Sequence, residues 1–321
     1  MKKFDWKAAT RINTLMLKSV GLWPEGDGTY NFNTYTIYAV ISINLFVNGH
    51  TFFQVMNIFF VYSNLEALTA TIFITASEVL VSVKVYNYVQ NIKLLKKLKN
   101  DLDTDIFQPT NEAQILLIEP HLKMWKATYF AFCIPSTAAV VLFAAFPILD
   151  QTIKEYRLPF SAWYPYNTKI SPLYEITYLY QVIGILFTAI VNLNTDALIS
   201  ALMMYVAAQC DILCDELRNL TGSENIHEKI IICVRRHQAM LSFAAGCNQF
   251  FDFIVLGQFV TSVISNALTM FQLTVVEAFS SEFYTLFFFA ACIPTQLFLY
   301  CWFGNEVDLK VRNIINIWKM F

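Results

Sequence analysis

Apolar residues in this chain run together in blocks and do not alternate with polar ones. Residues 28–65, 127–149, 176–195, 253–276 and 283–305 contain no Lys, Arg, Asp or Glu. A helix advances about 1.5 Å per residue and the hydrocarbon core is about 30 Å thick, so about 20 apolar residues make one crossing. Each block is therefore predicted to be a membrane-spanning helix. A further candidate, 67–83, is interrupted by Glu78 alone. The pattern predicts six spans, at about 35–57, 67–83, 127–149, 176–198, 251–276 and 283–303. With only nine Gly and nine Pro, the spans are expected to be long uninterrupted helices, with a kink at Pro294.

Composition narrows the class. Hydrophobic residues make up 56% and charged residues 14%, against about 45–50% and about 25% in soluble domains. A disordered chain would be poor in such residues. Seven Cys in 321 residues is too sparse for a disulfide scaffold. A net charge of −2 gives no reason to expect nucleic acid. The fold class is an all-α polytopic membrane protein with long helical extensions beyond the membrane.

Charge sets the orientation. The Lys and Arg residues all lie outside the spans, and nineteen of the 22 fall in one alternate set of loops. Cytoplasmic loops collect these residues, so both ends of the chain are expected inside the cell. Residues 1–33 then form a cytoplasmic segment, 34–305 the membrane domain and 306–321 a cytoplasmic tail. No cleavable signal is visible, since the first block is far longer than a signal core. The sequon Asn219-Leu220-Thr221 falls in the cytosol, out of reach of glycosylation.

The long inner segments have patterns of their own. Ile92, Leu95, Leu98 and Leu102 recur at helical spacing between Lys93, Lys96, Lys97 and Lys99. Either an amphipathic helix against the membrane or a partner, or a solvated helix continuing span two, would read this way. Residues 176–209 carry one charge, Asp196, over a stretch too long for a bilayer alone. This helix should continue into the cytosol as a packed element. The loop 150–175 holds Tyr156, Trp163, Tyr164, Tyr166 and Tyr174, and is expected to be an ordered external cap.

Candidate chemistry is sparse. The chain has no Walker loop, no G-x-S-x-G and no H-E-x-x-H. No catalytic residue, cofactor or metal is expected. Cys210 and Cys214, with His227 and His237 downstream, could serve zinc, but buried thiols are the favoured reading. Glu78 is a functional candidate as an intramembrane acid. A structural pair with Lys84 is the favoured alternative. Asp196 and Asp252 read as interfacial. Gln258, Thr261, Ser262, Asn266, Gln272, Thr295 and Gln296 could line a polar path, though hydrogen bonding between helices is commoner.

Two stretches resemble the insect odorant receptor family. Leu17-Lys18-Ser19-Val20-Gly21-Leu22-Trp23-Pro24 resembles its entry segment. Residues 294–307, with Pro294, Gln296, Tyr300, Cys301 and Gly304, resemble the signature of its sixth span. The resemblance runs from residue 1 to about 310. It implies a subunit of an odorant-gated, non-selective cation channel in the plasma membrane, with seven spans and a cytoplasmic N-terminus. Such subunits assemble with a shared co-receptor into tetramers and bind small volatile odorants among spans two, three, four and six. On position in the outer half, the ligand residues would be Phe73 and Ser77, Phe143 and Phe146, and Tyr178, Gln181 and Val182. Membrane lipid is the other expected partner.

After Lys310 the resemblance stops, where the family continues to its seventh, pore-lining span. The expectation is a product truncated after span six that does not conduct. Val311-Arg312 can be encoded as a consensus splice donor, which suggests translated intron. A multipass transporter and a G-protein-coupled-type receptor remain the alternatives. The latter would place the N-terminus outside and carry Asp-Arg-Tyr and Asn-Pro-x-x-Tyr motifs, which are missing here.

Overall fold

The structure is a computed structural model that describes residues 3–26, 30–220 and 225–319. A short helix, α1 (Arg11–Ser19), is followed by six long ones: α2 (Thr34–Val61), α3 (Leu65–Asp101), α4 (Glu112–Leu149), α5 (Leu173–Arg218), α6 (Ile226–Val275) and α7 (Ser281–Trp318). All six are long and apolar enough to cross a membrane. No strand occurs among the described residues.

The helix starts are written in side chains. Asn33, Asn64, Asn111 and Ser280 each turn a side-chain oxygen onto a backbone N–H of the first turn of α2, α3, α4 and α7. Such caps satisfy donors that have no partner within the helix. Gln114 reaches back to accept from the Thr110 N–H at 2.8 Å, closing a reciprocal box at the start of α4. Helix α7 runs through Pro294 without a break in its helical assignment. Helix α2 widens to a π-type turn at Ile43–Asn48. There the Tyr180 hydroxyl donates to the Leu45 carbonyl at 2.8 Å.

Helix α5 is the axis of the bundle. Its 46 residues span about 69 Å, more than twice the hydrocarbon core. From Asn194 to Leu217 it is buried almost all round, as befits a helix that is apolar on every face. Around this half pack the ends of α3, α4, α6 and α7, in one cluster that includes Leu95, Trp125, Leu213, Phe243 and Phe303. We call this the basic end of the molecule. Ile92, Leu95, Leu98 and Leu102, all at most 2% exposed, belong to that cluster. The first three lie on α3 and Leu102 caps its end; the helix continues unbroken from the candidate second span. The lysine-rich segment is thus a continuation of that helix, and its apolar face is covered by the protein itself.

The basic end is tied by side chains from several helices. The Asp211 carboxylate on α5 meets His121 Nε2 of α4 at 2.7 Å and Lys310 Nζ of α7 at 2.8 Å. Burial pushes this carboxyl up, but the two donors outweigh it and hold it below the ordinary range. Cys210 and Cys214 are buried, with the Cys210 sulfur 3.5 Å from the Met240 sulfur. Among the described residues no group of His, Cys, Asp and Glu could hold a metal ion. Asn219 ends α5, and Thr221 of its sequon lies outside the described residues.

The N-terminal segment folds onto this end. Trp6, Leu17, Val20 and Leu22 are at most 1% exposed. Gly21 has φ +93°, and a Cβ there would lie 2.7 Å from the Ala39 Cα. Only glycine fits both constraints. The Lys99 ammonium donates to Thr14 Oγ1 at 2.7 Å and sits 4.9 Å from the Trp23 ring centroid. Burial, with the charge of Lys7 nearby, lowers the Lys99 pKa from 10.5 to about 8, against an opposing pull from Asp103. The folded protein sheds this proton near pH 8 and the unfolded chain keeps it to about 10.5. Between these values the unfolded state binds more protons, so stability rises with pH. Below pH 8 the cost of the buried charge is present in full. Thermal unfolding in detergent should therefore show the native protein gaining stability between about pH 8 and about pH 9.5 relative to Lys99→Met. Parallel pH profiles for the two proteins would refute the assignment.

At the other end the loop 150–172 is an ordered cap. The Trp163 ring stacks on Phe60, 5.4 Å between centroids and 4° from parallel. Phe160 and Tyr164 are driven inward, to 4% and 7% exposure.

Candidate functional site

Helices α3, α4, α5 and α7 line an inner cavity of about 100 Å³. Its wall is mostly apolar, with Ile74 and Val81, Phe132 and Phe143, Ile185 and Phe289 contributing. Toward the aromatic cap lies an outer cavity of about 350 Å³, bounded by Phe73, Phe146, the loop around Phe160, and Gln272. Ile74 and Phe143 belong to both walls. Phe143 packs against Phe160 at 5.0 Å and Phe289 at 5.9 Å between ring centroids. An aromatic partition thus separates the two spaces. The Arg157–Glu282 ion pair, 2.6 Å apart, ties the cap to the start of α7 beside the outer one.

A polar cluster lies beneath the inner cavity. The Lys84 ammonium of α3 and the Asp196 carboxylate of α5 are both fully buried and 2.5 Å apart. Lys84 also donates to Asn192 Oδ1 at 2.6 Å and to Gln258 Oε1 at 2.8 Å. Its three donors are thereby used up. Asp196 accepts from the Gln296 amide and the Tyr300 hydroxyl of α7. The Gln258 amide of α6 donates to Gln296 Oε1 at 2.8 Å. Asp196, expected to be interfacial, is instead a centre on which four helices meet. The sequence shows the charge but not what surrounds it. Asp252 is exposed.

Glu78 forms a second cluster. Its carboxyl lies 3.0 Å from His50 Nδ1 and accepts from the Gln54 amide at 3.1 Å, both on α2. The expected partner Lys84 is elsewhere for a geometric reason: six residues along a helix leave two side chains about 120° apart around its axis. The His50 ring lies on Gly184 of α5, where a Cβ would come within 2.7 Å of it. Only glycine leaves room for this crossing. Of the other polar residues within the spans, Gln258 and Gln296 bond each other, and Gln272 donates to Thr69 at 2.6 Å. These are bonds between helices.

The expected ligand residues separate. Phe73 and Phe146 line the outer cavity, Ser77 the inner one and Phe143 both. Tyr178, Gln181 and Val182 line neither. The Tyr178 hydroxyl donates to the Ala144 carbonyl at 2.6 Å. Gln181 clamps Phe160, accepting its N–H at 2.9 Å and donating to its carbonyl at 3.0 Å. Val182 is half-buried. The face of α5 that faces the cavity is the same one, two turns further on, at Ile185, Thr188 and Asn192. Sequence reading also missed Glu78, Ser136 and Gln296 as wall residues. Gln296 stood in the sixth-span signature and was the available signal.

The family model described as "7tm Odorant receptor" matches residues 64–315. The chain belongs to this odorant receptor family. Odorant receptor Or1 of Anopheles gambiae is 23% identical over 95% of this chain and 79% of its own length. Odorant receptor 46a, isoform A, of Drosophila melanogaster is 21% identical over 93% of this chain and 79% of its own length. The solved structure of the insect olfactory receptor OR5 from Machilis hrabei superposes with TM-score 0.85 at 17% identity, covering 97% of this chain and 83% of that one. A second structure of that receptor, in complex with eugenol, matches equally well. Family membership sets aside the transporter reading. In this odorant receptor the signature of α7 divides by face. Gln296 and Tyr300, one turn apart, turn inward to Asp196, while Pro294 and Cys301 are exposed. The entry segment docks the N-terminus through Leu17, Gly21, Leu22 and Trp23.

Proposed function

We propose that this odorant receptor binds small volatile ligands in the inner cavity, and that binding gates a cation channel whose pore is lined by a co-receptor subunit. One observation carries the reading: a mostly apolar cavity bounded by four helices of a receptor-family chain. Affinity for small volatile molecules comes mainly from apolar burial, and this wall supplies it. The eugenol complex of OR5 supports a ligand site within this fold. The proposed setting is the plasma membrane, with the N-terminus and the basic end in the cytoplasm, following the distribution of Lys and Arg. Lipid would cover the exposed apolar side chains that ring the helices, such as Phe59, Ile134, Leu256 and Val263. The test is to express the chain with a co-receptor and record odorant-evoked currents. Currents that require this chain, and whose ligand preference changes on substitution of Ile74 or Phe289, are expected. A ligand preference indifferent to the cavity wall would overturn the reading.

A further inference from the structure

We infer that the inner cavity selects ligands carrying a hydrogen-bond acceptor oxygen, of the ketone or alcohol class, which the Asn192 amide and the Thr188 hydroxyl receive. This rests on the cavity being the ligand site.

The polar groups of the wall are almost all committed within the protein. Ser77 shares a hydrogen bond with Ser265 at 3.1 Å, and Ser136 donates to the Phe132 carbonyl at 2.7 Å. Both ends of the Gln296 amide are used, by Asp196 and Gln258. Both Glu78 oxygens face α2 partners. Two groups remain. Thr188 is 4% exposed, and its hydroxyl has no partner. Thr177, Thr269 and Thr285 behave differently, each donating to the carbonyl four residues back. Asn192 is oriented by Lys84, since an ammonium only donates and so must face the amide oxygen, at 2.6 Å. The Asn192 NH2 is thereby turned the other way, and among the described residues no group accepts from it.

Thr188 and Asn192 are four residues apart on α5, on one face, and both line the cavity. The buried Thr188 hydroxyl without a partner costs free energy that an incoming acceptor removes, and the half-buried Asn192 NH2 offers a second donor beside it. An amide NH2 cannot accept, so the ligand must bring an acceptor. A carboxylate would bring one too, but the Glu78 carboxyl stands in the same wall and like charges oppose it. A cavity of about 150 Å³ holds benzene. This space, at about 100 Å³, suits a ligand of roughly four heavy atoms, and takes a six-membered ring by letting it extend past Phe143 toward the outer cavity.

The test uses four molecules of one shape: cyclohexanone, cyclohexanol, cyclohexane and cyclohexanecarboxylate. Binding to the purified receptor is read as thermal stabilisation, with affinities referred to the detergent phase so that partitioning cancels. Cyclohexanone and cyclohexanol are expected to bind about ten-fold tighter than cyclohexane, and the carboxylate weakest. Thr188→Val keeps the shape and should remove part of that advantage, leaving cyclohexane unchanged. Asn192→Asp keeps an oxygen toward Lys84 and replaces the donor with an acceptor. The ketone can only accept and the alcohol can also donate, so in this variant cyclohexanol should bind tighter than cyclohexanone. A ketone advantage that survives both substitutions overturns the inference and spares the cavity reading, as does equal binding of ketone and hydrocarbon to the native protein. If none of the four binds, the cavity reading fails and the inference with it.

Discussion

Cutting Asp196 back to Ala is expected to cost about 3–5 kcal/mol, a large share of the roughly 5–15 kcal/mol that holds a typical fold together. The reason is what it leaves behind. Lys84 is fully buried and 2.5 Å from this carboxylate. Without it the ammonium keeps only the neutral oxygens of Asn192 and Gln258. Gln296 and Tyr300 lose their acceptor as well, so groups on two other helices, α3 and α7, are disturbed at once. Removing both charges together should behave differently. A well-packed apolar pair in place of a buried ion pair is often neutral or stabilising. Lys84→Met with Asp196→Leu should recover most of the loss, though Tyr300 and Gln296 remain without an acceptor. The measurement is the temperature at which the detergent-solubilised protein leaves its monodisperse peak. A single substitution no worse than the double one would show that the pair does not hold these helices.

The number of helices was legible because a bilayer permits few alternatives: about 20 uncharged, mostly apolar residues in a row match its thickness and little else in a protein. Long-range partners were not legible. Glu78 and Lys84 are close in sequence, and only a helical rotation puts them on different faces. His50, the single histidine of the first apolar block, was the clue to the real partner of Glu78, and it became readable only once α2 and α3 were packed together. Asp196 was misjudged by a similar route. Its position near the end of an apolar block suggests an interface, yet α5 continues for two dozen residues inside a second, protein-lined core. For the cavity, Ile185, Thr188 and Asn192 of α5 lie two turns beyond the residues expected from position, and that depth depends on how far the cap penetrates. Phe160, held by Gln181, packs against His50 and Phe143 inside the bundle. Nothing in a local pattern reports that a residue of a connecting loop enters the bundle.

The partition between the two cavities gives the second large effect. Phe143 is 5% exposed and belongs to both walls. Phe143→Ala should join the inner space of about 100 Å³ to the outer one of about 350 Å³. A buried Phe→Ala change typically costs about 3–5 kcal/mol. Here the lower end is expected, because part of the ring already faces open space and has fewer contacts to lose. Ligand selection should change more than stability. Each additional CH2 taken out of water is worth about 0.8 kcal/mol. A ligand that can place three more of them past residue 143 gains about 2.4 kcal/mol, roughly a 50-fold increase in affinity. Small ligands lose the Phe143 face and should weaken. Along a homologous series of straight-chain alcohols, the native protein should reach its affinity optimum at a short chain and the variant at a longer one. Phe143→Leu, which keeps most of the bulk, should leave the optimum where it is. An optimum that stays in place in Phe143→Ala, with the variant still folded, would mean that ligands do not reach the partition. The lining of α3, α4 and α7 would then be packing alone.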